Sequence, residues 1–221
     1  GSIGGGSTTN PNGKLGYAKI SISGGETSGQ FIMVKGAKEA CSFTMTGGKV
    51  YNSDTSSTDF ARLQENGGAV YMDDPQGVAT ISGGSIENCK AVNGGAVYMT
   101  AGKFTLQGSG KITNCSASEL GGAIYLGGTA TSKGTFYIKN GSISSNKALN
   151  GSGGAIYLNG GNAYVSGGQI DHNESIYGGG AYLAGGALNI TGGSINYNTA
   201  TSGGGAYLAG GTLDISSGSI E

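Results

Sequence analysis

Apolar residues in this chain fall in short runs that alternate with polar ones, and the runs recur. The string GGAVYM stands at Gly67–Met72 and again at Gly94–Met99. GGAIYL follows at Gly121–Leu126 and Gly153–Leu158, and GGGAYL at Gly178–Leu183 and Gly203–Leu208. Their tyrosines, Tyr71, Tyr98, Tyr125, Tyr157, Tyr182 and Tyr207, are spaced by 27, 27, 32, 25 and 25 residues. Two further segments keep the period. A small-Gly-x-Ile/Val segment ends at Val50, Ile86, Ile112, Ile143, Ile170, Ile195 and Ile220. Just before each stands a short alternating run, such as FTM at Phe43–Met45, FTL at Phe104–Leu106 and LDI at Leu213–Ile215, with an earlier copy, ISI, at Ile20–Ile22.

Period-two alternation over so few residues, bounded by Gly, Ser and Asn, predicts strands. Glycine at this density argues against helix. Three short strands per period, stacked in register, predict an all-β fold: a single-stranded parallel β-helix of about 7–8 coils with three short strands per coil. The crossover rule for parallel strands favours the right-handed form. At about 4.8 Å per coil the rod would be roughly 35 Å long. Residues 1–16 are expected to be an N-terminal lead-in or cap, and 17–221 the β-helix. The sequence stops just after the anchor Ile220 with no polar cap. Because solenoid ends need covering, the expectation is a β-helix truncated at its C-terminal end. Longer gaps mark loops around Ala130–Gly134 and Leu149–Ser152. A larger excursion at Asp54–Asn66 holds Phe60, Arg62, Leu63 and Glu65, and solenoid loops are common carriers of specific contacts.

In the tyrosine strand one phase buries Val70, Val97, Ile124, Ile156, Ala181 and Ala206, with Met72, Met99, Leu126, Leu158, Leu183 and Leu208 two residues on. This phase buries more aliphatic surface than its opposite, so the tyrosines are expected to point outward. Three residues after each Val/Ile anchor comes a second inward position: Ser53, Cys89, Cys115, Asn146, Asn173 and Asn198. Stacked asparagines there can bond one another and the amides of a buried corner. Cys89 and Cys115 are read as small buried thiols in that ladder, because in-register stacking suits disulfide geometry poorly.

Composition narrows the function classes. Glycine is 48 of 221 residues with only 2 prolines and no three-residue period, which excludes collagen. Apolar residues make 36% and charged residues 11%, which favours a packed fold over disorder. The net charge is −1 and Arg62 is the sole arginine, so no nucleic-acid partner is expected. No apolar run is long enough to span a bilayer, so no direct membrane insertion is expected. Three cysteines without a CxxC pair make neither a disulfide framework nor a zinc site.

The pairing of I-x-x-N-x-A with G-G-A-I-Y-L, clearest at Ile143–Ala148 with Gly153–Leu158 and at Ile195–Ala200 with Gly203–Leu208, resembles the repeats of polymorphic outer membrane proteins and related β-helix adhesins of bacterial surfaces. That family pairs GGAI with F-x-x-N, whereas Ile or Val replaces the Phe here. The resemblance spans roughly Phe43 to Glu221. It implies an extracellular module on the bacterial cell surface, serving as a stalk or as an adhesive, carbohydrate-binding face.

The chemistry follows from these placements. The six tyrosines Tyr71, Tyr98, Tyr125, Tyr157, Tyr182 and Tyr207 are the ligand-binding candidates, since aromatic faces stack on sugars or bury against a protein partner while the hydroxyl stays wet. The expected partners are a host glycan or surface protein, further coils of the chain, or a second copy. No catalytic residues and no cofactor are assigned. The alternative is a carbohydrate-active β-helix enzyme, a polysaccharide lyase or hydrolase, whose best cluster would be Asp171, His172 and Glu174 with Lys147 one coil away. A solvated surface and a cross-coil ion pair explain those residues as well. No metal is assigned. Asp73 and Asp74 are weak Ca²⁺ candidates, more simply read as turn formers.

Overall fold

A computed structural model describes residues 19–34, 41–51 and 65–221. The 1–16 segment, Ser53, and the Asp54–Asn66 excursion up to residue 64 lie outside the described residues. The chain is a parallel β-helix. Among the described residues no helix is long and apolar enough to cross a membrane.

Among the described residues the strands form three sheets stacked along the solenoid, of thirteen, seven and five strands. The seven-stranded sheet carries the tyrosines, from Phe31–Val34 and Val70–Asp73 through Ile124–Gly127 to Ala206–Leu208. The thirteen-stranded sheet starts as two rows. One holds the alternating runs such as Lys103–Leu106, the other the Ile anchors such as Lys111–Thr113. The rows fuse in the last coils, where Asn162–Asp171, Ala187–Asn196 and Thr212–Ile220 each turn the corner as one strand. The five-stranded sheet, Lys90–Asn93 to Thr199–Ser202, adds a short row between the Ile anchors and the tyrosine strand. The sequence repeat predicted three runs per coil, and this fourth is built from the small residues Ala91, Ala117 and Ala148 that follow the ladder position.

Each inward position repeats in register, so side chains of one type stack along the axis. Ile86, Ile112, Ile143, Ile170 and Ile195 form one fully buried column. Another reads Phe43, Ala79, Phe104, Phe136, Ala163 and Leu188, with the Phe104 and Phe136 ring centroids 5.3 Å apart. Small residues beside large ones let the rings interdigitate without voids. The phase expected for the tyrosine strand is the one found. Val70, Val97, Ile124, Ile156 and Ala181 are fully buried, as are Met72, Met99, Leu126, Leu158 and Leu183, while the intervening tyrosines are half-buried. In the last coil Ala206 is half-buried and Leu208 exposed.

Candidate functional site: an outward tyrosine column

The tyrosine strand is entered through a two-glycine corner in every coil. Gly121 takes φ +67°, a left-handed conformation that side chains resist. A Cβ on Gly122 would fall on the carbonyl oxygen of Gly154 in the next coil and 2.7 Å from the Lys147 nitrogen. This close backbone approach sets the registers Tyr98↔Tyr125 and Tyr125↔Tyr157.

Register then forces stacking. Tyr71, Tyr98, Tyr125, Tyr157, Tyr182 and Tyr207 form an uninterrupted column, with ring centroids 4.5 to 5.5 Å apart and ring planes within 3° to 19° of parallel. This geometry corrects one part of the expected chemistry. In a face-to-face stack the ring faces are largely spent on neighbouring tyrosines, so a sugar cannot lie flat on each ring. The column instead offers ring edges and phenol hydroxyls, one per coil. Beside it runs a ledge of small or polar outward residues. There Thr100 donates a hydrogen bond to Asp73 at 2.6 Å, and the Asn159 amide donates to the Tyr125 hydroxyl at 3.0 Å.

Burial of the rings perturbs their acidity. Desolvation, with adjacent Tyr125, Tyr71 and Asp73 adding negative potential, pushes the Tyr98 phenol from its ordinary 10.0 up to about 12. Tyr71 and Tyr157 are raised as well, again chiefly by desolvation. A pKa raised in the folded state means the unfolded chain releases its phenolic protons first as pH rises. For Tyr98 the contribution to stability is thus fully present below 10 and is lost between 10 and about 12; for Tyr71 and Tyr157 it is lost in the same direction, as pH rises above 10. In an alkaline titration, part of the tyrosinate absorbance should appear late and together with loss of the β-sheet circular dichroism signal. A single ordinary transition for all twelve tyrosines with the fold intact would count against the buried stack.

The weak metal candidates separate. Asp74 is buried, its carboxylate accepting from the backbone amides of Cys41 at 3.1 Å and Gln76 at 3.0 Å. It makes the turn, as its Pro-containing context suggested. Asp73 is exposed and held by Thr100. Among the described residues no three His, Cys, Asp or Glu side chains gather to hold a metal ion.

The inner corner ladder is formed. The Asn146 amide nitrogen and side-chain Nδ2 both donate to Asn173 Oδ1, and Asn173 repeats both bonds to Asn198 Oδ1, at 2.9 to 3.0 Å. Each Nδ2 also donates to the Ile carbonyl of the preceding coil: Asn146 to Ile112, Asn173 to Ile143, Asn198 to Ile170. Cys115 occupies the same place as a thiol. Its Sγ faces Ile86 O at 3.9 Å and Thr113 O at 3.3 Å, as Asn173 Nδ2 faces Ile143 O and Asp171 O. Cys89 likewise points at Glu87 O, 3.4 Å away. All three cysteines are buried outside any disulfide. The residue before each ladder position adopts left-handed backbone: Asn88, Asn114, Ser145, His172 and Tyr197, with φ between 53° and 57°. Asparagine tolerates this conformation well, and that was the available sequence signal for the corner.

The residues weighed for catalysis lie on the outside of this corner. His172 Nδ1 is 3.3 Å from Asp171 Oδ2, its side chain is 64% exposed, and its ring stacks on Tyr197 at 5.6 Å. Lys147 and Glu174 form the anticipated cross-coil ion pair at 2.8 Å, with both side chains about half exposed. A second tyrosine stack, absent from the sequence reading, joins Tyr137 and Tyr164 at 5.1 Å, with the Lys103 ammonium over the Tyr137 ring.

No family model matches the chain, and no curated protein or solved structure matches it.

Proposed function

We propose that this chain is a non-catalytic repeat module of a bacterial cell-surface protein of adhesin type: a rigid extracellular stalk whose tyrosine face binds a host glycan or protein. The observation that carries this reading is the unbroken outward column from Tyr71 to Tyr207. Stacking alone could be served by phenylalanine, which the chain uses inside at Phe43, Phe104 and Phe136. All six outward positions carry a hydroxyl that can both donate and accept. The stalk role is supported by the nearest-neighbour architecture, in which each coil is stabilised by the coils above and below it. The GGAI and I-x-x-N-x-A repeats support the adhesin class and the surface location.

Two double variants separate the roles. Tyr125→Phe with Tyr157→Phe keeps the stack and removes two hydroxyls. Tyr125→Ser with Tyr157→Ser removes both stack and hydroxyls and should lower stability by about 1.5–4.5 kcal/mol, since three stacked pairs are lost and each is worth roughly 0.5–1.5 kcal/mol. Both should lose retention on a glycan array or on host-cell surfaces, the Phe pair with its melting curve nearly unchanged. Wild-type retention by both, with only the Ser pair destabilised, would make the column purely structural.

A further inference from the structure

A second outward feature is concave. Where the alternating row meets the Ile-anchor row, a groove of about 480 Å³ runs along the axis across four consecutive coils. Its floor is glycine backbone, including Gly141 and Gly168. Its wall holds Lys111, Ser142, Gln169 and Ser194, which are register partners in successive coils. The wall thus offers one hydrogen-bonding side chain per coil, spaced at the inter-strand distance of about 4.8 Å. Neighbouring coils pair outward side chains elsewhere, as in Thr113–Ser144 and Lys147–Glu174, and earlier in this same row Lys49 and Ser85 both bond to Glu87. These four side chains have no hydrogen-bond partner within the chain among the described residues.

We propose that this groove binds an extended, neutral, β-1,4-linked glycan lying parallel to the solenoid axis, one sugar per coil. An extended β-1,4 chain advances by nearly one inter-strand distance per sugar, so each sugar would meet one wall side chain, successive sugars presenting alternate edges to it. Hydroxyl and amide groups both donate and accept, matching sugar hydroxyls. Lys111 alone among the lining residues is charged, which suits a neutral chain. A side chain at Gly141 or Gly168 would collide with the backbone of the preceding coil, so the bare glycine backbone of the floor is set by the stacking of the coils. The volume falls within the range of small-molecule sites. This proposal rests on the glycan-binding reading above but places the glycan at a different site from the tyrosine column.

The test is titration of the whole chain with cellulose- and chitin-derived oligosaccharides of two to six sugars, with the α-1,4-linked maltohexaose as control. Binding should strengthen by about tenfold from two sugars to four and then level off, with maltohexaose at least about tenfold weaker. Gln169→Trp, which fills the groove, and Ser142→Ala with Ser194→Ala, which removes two wall hydroxyls, should each abolish or weaken binding by about tenfold or more. Glu119→Gln, at an exposed position outside both the groove and the tyrosine column, should bind these chains as wild type does. Equal binding of α- and β-linked chains, binding untouched by the groove variants, or no binding of any β-1,4 chain would overturn the groove assignment. Glycan binding that follows the tyrosine variants instead would leave the tyrosine-face reading standing without the groove.

Discussion

Gly122→Ala is expected to destabilise the protein by about 3 kcal/mol or more, at the upper end of what one added methyl does. The methyl has no room. It would sit on the Gly154 carbonyl oxygen and 2.6 to 2.7 Å from the carbon and nitrogen of Lys147. All of these are backbone atoms, so no rotamer change can yield. Relief requires parting two coils that are joined by Gly122 N donating to Gly153 O at 2.9 Å and Lys147 N to Cys115 O at 2.9 Å. Gly185 is the control. A Cβ there meets only the Gly160 nitrogen at 3.6 Å, so Gly185→Ala should lie within about 0.5 kcal/mol of wild type. Denaturant melts of the two variants check this. Equal stability would mean the corner is looser than its geometry implies.

Asn173→Ala is expected to cost a further class of energy, about 3 kcal/mol or more, by orphaning buried polar groups rather than by collision. Asn173 is fully buried. Its Oδ1 accepts from the Asn146 amide at 3.0 Å and from Asn146 Nδ2 at 2.9 Å, while its Nδ2 serves Ile143 O, Asp171 O and Asn198 Oδ1. Truncation leaves the buried donors of Asn146 and the Ile143 carbonyl unmatched. Asn173→Cys should fall between wild type and Ala, because a thiol at Cys115 already serves the equivalent carbonyls but cannot replace the amide oxygen. Asn198→Ala, at a half-buried rung, should cost less, about 1 kcal/mol. Chemical denaturation of the three variants orders them. An Asn173→Ala protein as stable as Asn198→Ala would deny the ladder its role.

Much of this was legible in the sequence because a solenoid writes its register into its repeats. The tyrosine spacing placed Tyr125 opposite Tyr98 and Tyr157, and alternation of Val/Ile with Met/Leu placed the rings outward. Asn146, Asn173 and Asn198 could be put in one ladder because their distances from Ile143, Ile170 and Ile195 are equal. What was not legible is what depends on side-chain torsion and on the space between coils. The pattern cannot say whether an outward tyrosine lies flat or on edge, and that decides which part of the phenol a partner meets. Nor could composition distinguish the glycines that avoid a collision, such as Gly122, Gly141 and Gly168, from those with room around them, such as Gly185. The fourth row was not legible, because Ala91, Ala117 and Ala148 are each the single buried residue of their strand and leave no alternation to read.

The most direct test of the central claim, that this solenoid presents its tyrosine column as a binding face, is a tyrosine-ring NMR titration. The protein would carry isotope-labelled tyrosine, with ring signals assigned by single Tyr→Phe variants, and be mixed with glycans or host-surface proteins that it retains. Saturable shifts are expected, confined to contiguous members of the Tyr71–Tyr207 column, with Tyr51 and Tyr197 on other faces unmoved. Retention of a partner with no shift anywhere in the column would contradict the claim.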